Sequence, residues 1–305
     1  MINETEPSEL FFIAHLTLSI VVCSIGLIFC CLFIFVVIIN KPSHTITNLL
    51  ICNNGLCTIT YTVYMIFSSI YGLRGDWLHY QPACIFRGYF ILASCSLVTY
   101  SYLIQAVSRL FFIVFYNLKY LQTYRIHYIL IILNWSIGLI IPCILHLINN
   151  NVARLVANFR FCGAAPEFFI PSLYIAIAIF CTPFGLVVMI YTNIFLQVYQ
   201  SKRRVSPFTG PLNGSTNNAV PNMKREIKLM KITMILWTCF AIAGLPYLLL
   251  ILWPVLFKSS APKAFYLISV NSITISSECM MIAIFFITRD VKNYLVNAIK
   301  TLYCI

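Results

Sequence analysis

Long apolar runs separated by short polar connections dominate the chain. A helix needs about 20 mostly apolar residues to cross the hydrocarbon core of a bilayer, which is roughly 30 Å thick. Seven runs meet that length, near 10–39, 46–72, 82–115, 127–149, 168–200, 223–256 and 262–287. The pattern predicts an all-α membrane protein in which residues 1–305 form one domain, a seven-transmembrane-helix bundle.

The residues after the seventh run predict one more, shorter helix over 290–302. Apolar residues recur there at helical spacing, polar residues take the other face, and Asp290 can cap the first turn. A helix with two such faces lies in the surface of a membrane rather than across it. We therefore expect a short C-terminal interfacial helix, with a frayed polar tail as the alternative.

Composition and charge support the membrane interpretation and orient the chain. Hydrophobic residues make up 61% and charged residues only 9%, which excludes an ordinary soluble enzyme. Of the 20 Lys and Arg residues, 14 fall in one set of alternate connections and six in the other. The richer set should be cytoplasmic, which places the N-terminus outside and the C-terminus inside the plasma membrane. The basic excess thus indicates topology and contact with membrane lipids, and no nucleic acid partner is expected.

The same topology assigns each cysteine and the glycosylation sequon to a side of the membrane or to its interior. Ten of the 13 cysteines fall inside apolar runs, where a thiol behaves mainly as a small hydrophobic group. Cys84 and Cys162 both fall in the extracellular layer, which favours a disulfide between them over two free thiols. Cys304 is a candidate palmitoylation site on the inner side. Asn3, in the sequence Asn-Glu-Thr, is a candidate glycosylation site on the outer side.

Recognisable catalytic chemistry is absent from the sequence. The two aspartates fall in loops at opposite ends of the spans, and no metal-ligand motif occurs, so neither an enzyme nor a cofactor nor a metal site is expected. Glu278 is the one acidic residue well inside a span. A proton or ion site and a hydrogen-bonded glutamate among polar neighbours both explain it. A seven-span transporter or channel using Glu278 therefore stays open as an alternative function.

The third run carries a spacing that points to a known family. Trp77 precedes this run, Cys84 lies near its start, and Arg109 follows Cys84 by 25 residues. At 1.5 Å per residue this separates Cys84 from Arg109 by about 37 Å along the helix, so they lie at opposite faces of the membrane. An outer-loop tryptophan, an outer cysteine and an inner arginine in this order resemble the third span of a rhodopsin-like (class A) G-protein-coupled receptor.

Further residues extend this resemblance over nearly the whole chain. Trp135 and Pro142 match the fourth span of the family, and Pro183 with Tyr191 match the fifth. The sixth span matches at three positions, which are Glu226, Phe240 and Pro246. On these residues the chain is similar to a divergent rhodopsin-like receptor.

The resemblance implies a function and a mechanism. An extracellular ligand would shift the bundle to an open state that activates a heterotrimeric G protein. Arg109 and Glu226 would form the latch of the closed state, and Tyr191 would help to hold the open one. Pro183, Phe240 and Pro246 would form the kinks and the switch. A receptor-like protein that no longer couples is a second alternative.

The same resemblance implies a ligand pocket between the outer halves of the spans. The positions that correspond to it are Ile91, Cys95, Tyr247, Ile251, Tyr266, Val270 and Thr274. Ile91 stands where receptors for biogenic amines carry an acid, and Thr274 stands where opsins carry the lysine that binds retinal. Neither a biogenic amine nor retinal is therefore expected as the ligand.

The chain departs from the family pattern in five spans. Cys30 replaces the asparagine of span one and Thr58 the sodium-binding aspartate of span two. In span three, Ser108 replaces the acid before the arginine and Leu110 the tyrosine after it. Gly244 replaces the tryptophan of span six, and Met280–Ile284 replace the NPxxY stretch of span seven. Neither a bound sodium ion nor a tryptophan switch is expected.

Overall fold

Helices make up almost all of the computed structural model, which describes residues 8–74, 81–148, 153–156, 160–164, 169–205, 219–258, 261–288, 291–296 and 300. The first four long helices are α1 (Glu9–Ile39), α2 (Ile46–Arg74), α3 (Gln81–Ile113) and α4 (Tyr124–Ile148). The fifth, α5, is continuous over Phe169–Ile175, a π-helical turn at Ala176–Cys181, and Thr182–Val205. The last two are α6 (Ala219–Phe257) and α7 (Lys263–Ile287).

Seven helices in the described part of the chain are long and apolar enough to cross a membrane. Residues 291–296 form one more helical segment after α7. The predicted fold class is confirmed: a seven-helix membrane protein with a short C-terminal helix. Asp290, the expected cap of that helix, lies outside the described residues.

Local sequence explains where α1 begins and ends. Ser8 caps its N-terminus, since the Ser8 hydroxyl accepts a hydrogen bond from the backbone N–H of Phe11 at 3.3 Å. The helix ends at Asn40, whose backbone is extended. Pro42 follows two residues later, where a proline prevents continuation of the helix and opens a short 3-10 turn at Lys41–Ser43.

Three of the long helices contain prolines that the sequence analysis singled out. Pro142 lies inside α4, and Pro246 lies inside α6 together with Pro254. Pro183 follows the π-helical turn of α5. A proline has no N–H to donate to the preceding turn, which permits a bend at each of these positions and explains the π-helical turn before Pro183.

The core runs through the bundle and holds buried side chains of α1, α2, α3, α5, α6 and α7. Of the seven helices α3 is the most buried and α6 the least. Helix α3 packs against α2 and α4, whereas α1 packs against α2 and α7. Helix α6 packs mainly against α7, and α5 and α6 make few contacts with each other. Side chains that face away from this core are largely apolar, as expected where helices meet lipid.

A short β-hairpin covers the end of the bundle that holds Cys84. Its strands β1 (Ala153–Val156) and β2 (Phe161–Ala164) are antiparallel, with Ala153 opposite Ala164. The disulfide predicted from the sequence is confirmed, because Cys84 of α3 is bonded to Cys162 of β2. The hairpin itself was not predicted, since its strands are only four residues long.

Arg160 in the turn before β2 fixes the hairpin to α1. Its backbone has a positive φ of 54°, an uncommon conformation for a residue with a side chain. The guanidinium group forms an ion pair with Glu9 and lies 4.5 Å above the ring of Phe12. The hairpin is thus attached at two points, to α3 by the disulfide and to α1 by Arg160.

Candidate functional site

The end of the bundle opposite the hairpin holds Arg109, and the residues around it form the first candidate site. Arg109 lies near the end of α3 and is only 9% exposed. Tyr191 of α5 is almost fully buried and lies within electrostatic range of the Arg109 guanidinium group. Two of the three predicted coupling residues are therefore close to each other. The side chain of Glu226, on α6, lies outside the described residues, so the latch stays a prediction.

Ser108, which replaces the family's acid beside the arginine, joins α3 to α4. Its hydroxyl oxygen lies 2.9 Å from Nε2 of His127, and Nδ1 of His127 lies 2.9 Å from the carbonyl oxygen of Thr123. A carbonyl can only accept, so Nδ1 carries a hydrogen, and in a neutral imidazole Nε2 accepts from the Ser108 hydroxyl. Ser108 therefore bonds to the neighbouring helix. Sequence analysis gave His127 no role.

An aromatic cluster lies deeper in the bundle, where α3, α5 and α6 meet. Phe240, predicted as a switch residue, is buried and stacks on Trp237 with ring centroids 5.3 Å apart and planes 12° apart. Trp237 also lies 5.0 Å from the ring of Tyr102 and 6.3 Å from that of Phe184. Trp237 was not predicted to take part. The Trp237 ring links Phe240 to Tyr102 of α3 and Phe184 of α5.

The buried carboxyl group of Glu278 is the centre of a polar region in the core. Glu278 of α7 has no exposed surface. Its Oε1 lies 2.6 Å from the hydroxyl oxygen of Thr62 on α2. That hydroxyl is also 2.7 Å from the backbone carbonyl of Thr58, which can only accept. One hydroxyl hydrogen cannot serve both contacts fully, so both are satisfied when the carboxyl group itself supplies a hydrogen to Thr62.

Helix α1 closes this region from the other side. A Cβ atom built on Gly26 would overlap the Glu278 carboxyl group, so any larger residue there would force that carboxyl group to move. The second carboxyl oxygen of Glu278, the hydroxyl of Thr58 and that of Ser277 are buried without a hydrogen-bond partner among the described residues. The position of the family's sodium-binding acid is thus occupied by a threonine next to a glutamate that comes from α7.

More polar contacts continue this region along α2. The Ser101 hydroxyl donates to Oδ1 of Asn54 at 2.5 Å, and the indole N–H of Trp135 donates to Oδ1 of Asn53 at 3.0 Å. Trp135 was predicted from the resemblance, but its partner was not. A repeat of polar residues at Asn54, Thr58 and Thr62, each four residues apart, marks one face of α2 and could have shown this region in the sequence.

The residues predicted to line a ligand pocket lie on α3, α6 and α7. Ile251, Tyr266 and Thr274 are buried, and the other four (Ile91, Cys95, Tyr247 and Val270) are partly buried. The Thr274 hydroxyl is 2.7 Å from that of Tyr61 on α2. The ligand pocket itself stays a prediction.

Three predicted positions cannot be placed. Trp77, Asn3 and Cys304 all lie outside the described residues. The modifications of Asn3 and Cys304 stay predictions. No group of three or more metal-ligating side chains occurs in the described part of the chain.

Comparison with known proteins supplies the family. The model of the seven-transmembrane receptor family named the rhodopsin family matches residues 30–283. No curated protein sequence matches the chain. Squid rhodopsin is similar in structure, with a TM-score of 0.82 over 98% of this chain and 88% of that one, at 15% sequence identity. At that identity the likeness concerns the fold.

The family match covers most of the chain and agrees with the seven helices and the outer disulfide described above. The family is a family of receptors and not a class of enzymes. The chain, a multi-pass membrane protein, belongs to the rhodopsin family of seven-transmembrane receptors.

Proposed function

We propose that this protein is a plasma-membrane receptor in which an extracellular ligand stabilises an open state of the bundle that activates a heterotrimeric G protein. The N-terminus and the hairpin lie outside, and the Arg109 end lies in the cytoplasm. The observation that carries the proposal is the position of Arg109, which is nearly buried on α3 and lies within electrostatic range of Tyr191 on α5. A nearly buried arginine at this end of α3 occupies the position at which the family pattern carries its inner arginine, and this supports a role in coupling.

Movement of α6 is the mechanical part of the proposal. Pro246 lies within α6 and removes a backbone hydrogen bond there, which permits a hinge. The helix is the least buried of the seven and contacts α5 only sparsely. A hinge at Pro246 would let the Arg109 end of α6 swing outward, and the sparse contact between α5 and α6 in the described part of the chain favours this movement. Glu226 on that part of α6 would pair with Arg109 in the closed state and release it in the open one.

The ligand acts by population shift. It can move the bundle toward the open state only by as much as it binds that state more tightly. One of the proposed pocket residues, Tyr247 of α6, directly follows Pro246. A ligand in the pocket would therefore contact α6 next to the hinge. Ile91 and Thr274 argue against a biogenic amine and retinal as ligands.

Basal G-protein dissociation in cells tests the latch. The wild type, Glu226→Ala, Arg109→Ala and the control Arg125→Ala are compared at equal surface levels, with the G-protein subtypes measured in parallel. We expect Glu226→Ala to raise the basal signal and Arg109→Ala to abolish it. Arg125 is an exposed cation at the start of α4, so its removal controls for a general loss of positive charge. Equal signals from all four proteins, at the level of empty membranes, would reject coupling through this latch.

A further inference from the structure

A cavity lies between α5 and α6, halfway along both helices. It contains about 520 Å³ of space not filled by protein atoms, part of it open to the outside. Aromatic and aliphatic side chains form its walls, chiefly Phe180, Phe184, Trp237, Phe240, Leu245 and Leu248. This place in the fold is where two neighbouring helices make few contacts with each other.

Gly244 shows that the space is a gap in the packing of α6. The residue is buried, yet a Cβ atom built on it would meet no other atom within 4 Å. Buried positions in proteins are normally close-packed, so a buried glycine beside open space is unusual. The gap is thus present because residue 244 has no side chain, and a large side chain there would fill it.

The mouth of the cavity faces the hydrocarbon core of the membrane. Leu245 is 50% exposed and Cys181 is exposed as well, and both line the cavity. Leu245 lies at the middle of the span Ile232–Phe257, and Cys181 lies near the middle of the span Phe169–Tyr199. An opening at this depth is in contact with lipid acyl chains and not with water.

The walls offer a bound molecule few polar partners. Thr99 is the one residue with a hydroxyl group in the lining, and its hydroxyl already donates to the carbonyl oxygen of Ser96 at 3.0 Å. The indole N–H of Trp237 is buried and has no hydrogen-bond partner among the described residues. A water molecule needs two to four polar partners to occupy a cavity stably, and one N–H is too few. Water is therefore disfavoured, whereas a hydrocarbon chain gains dispersion contacts with every wall.

We propose that this cavity binds the hydrocarbon chain of a lipid, which enters from the bilayer between α5 and α6. The lining shares no residue with the proposed pocket between the outer halves of the helices, although Phe180 of the lining packs against Tyr247 of that pocket with ring centroids 5.9 Å apart. The inference does not depend on coupling to a G protein, because it concerns occupancy of the cavity alone. The chain can belong to a membrane phospholipid or to a free fatty acid, since both present the same hydrocarbon.

Photo-crosslinking in phosphatidylcholine nanodiscs tests the proposal. The purified protein is irradiated with palmitic acid that carries a diazirine at mid-chain, and in a second arm with phosphatidylcholine that carries the same chain. Labelled residues are then mapped by mass spectrometry. We expect labels on lining residues such as Phe180, Phe184 and Leu248. Labelling from both probes indicates a bilayer lipid, whereas labelling from palmitic acid alone indicates a ligand with a free carboxylate.

Two glycines supply a matched pair of variants. Gly244→Trp fills the cavity, whereas Gly185→Trp places the same side chain on the exposed side of α5, where a Cβ also meets no atom within 4 Å. Gly244→Trp should reduce labelling of the lining residues about tenfold, equivalent to about 1.4 kcal/mol of binding, and Gly185→Trp should leave it unchanged.

Two results would overturn the proposal. One is equal labelling of the lining residues in both tryptophan variants and the wild type. The other is labelling in the wild type only on outward-facing residues, such as Met189, that do not line the cavity. Ala241→Phe also fills the cavity, from one turn away on α6, and takes the place of Gly244→Trp if that variant does not fold.

Discussion

At the scale of single residues, Glu278 shows how a buried acid is accommodated in this bundle. Its carboxyl group lies between Thr62 of α2 and Gly26 of α1, and it has no exposed surface. The hydrogen-bond geometry is satisfied when the carboxyl group donates to Thr62. Glu278 is then a neutral tie between helices, which is one of the two interpretations that the sequence left open.

Substitutions of Glu278 test this neutral tie. Glu278→Gln keeps the shape of the side chain and an N–H donor for Thr62, so we expect a melting temperature close to that of the wild type. Glu278→Ala leaves a cavity and removes the partner of Thr62, which should cost about 2–3 kcal/mol. Thermal unfolding of the purified protein in detergent measures both. If Glu278→Gln is as unstable as Glu278→Ala, the negative charge itself is required and the neutral tie is wrong.

A double-mutant cycle with Gly26 sharpens the test. Gly26→Ala should strongly destabilise the wild type, because its Cβ overlaps the Glu278 carboxyl group. In the Glu278→Ala background that overlap is gone, and Gly26→Ala should cost little. Such non-additivity is the signature of two residues in contact. Additive effects would show that Gly26 is required for another reason.

Residues whose function depends on a distant contact could not be found from the sequence. Cys84 and Cys162 were paired correctly because the apolar pattern alone assigns both to one layer of the membrane. His127 and Trp237 were missed, since nothing near them in the chain marks their contacts with Ser108 and Tyr102. The family resemblance pointed to Phe240 but not to the ring on which it stacks.

At the scale of elements, the long helices were predictable and the hairpin was not. A span is identified by about 20 consecutive apolar residues, so single polar residues do not obscure it. For the same reason, a search for long apolar runs does not reveal the polar face of α2, which carries Asn54, Thr58 and Thr62. The four-residue strands β1 and β2 leave no periodic signal, and their pairing is supported by a disulfide and by Arg160.

Removing the disulfide should loosen the hairpin without unfolding the helices. In Cys84→Ser combined with Cys162→Ser, we expect a loss of about 2 kcal/mol, at the low end for a disulfide, because the helices stay inserted in the membrane when the hairpin detaches. Thermal unfolding and protease cleavage between β1 and β2 measure the effect. Cys143→Ser removes an exposed free thiol and serves as the control. Unchanged cleavage would show that Arg160 alone holds the hairpin.

At the scale of the whole molecule, two independent features support the proposed orientation. Fourteen of the 20 Lys and Arg residues fall in the connections at the Arg109 end or at the C-terminus, which favours the cytoplasm for that end. The disulfide lies at the opposite end, and disulfides persist on the oxidising side of the membrane. The distribution of basic residues acts on the chain during membrane insertion, whereas the disulfide depends on the environment of the folded protein. Because the two features act independently, their agreement supports the orientation.

Epitope tags test this orientation directly. One tag precedes Met1, and in a second variant the tag is inserted between residues 210 and 211, in the connection from α5 to α6. We expect antibody to stain the first tag on intact cells and the second only after permeabilisation. Because the charge difference between the two faces fixes the orientation, replacing Lys202, Arg203 and Arg204 with glutamine should produce a fraction of inverted molecules. Staining of the second tag on intact wild-type cells would reverse the orientation, and it would place the Arg109 end out of reach of any cytoplasmic G protein.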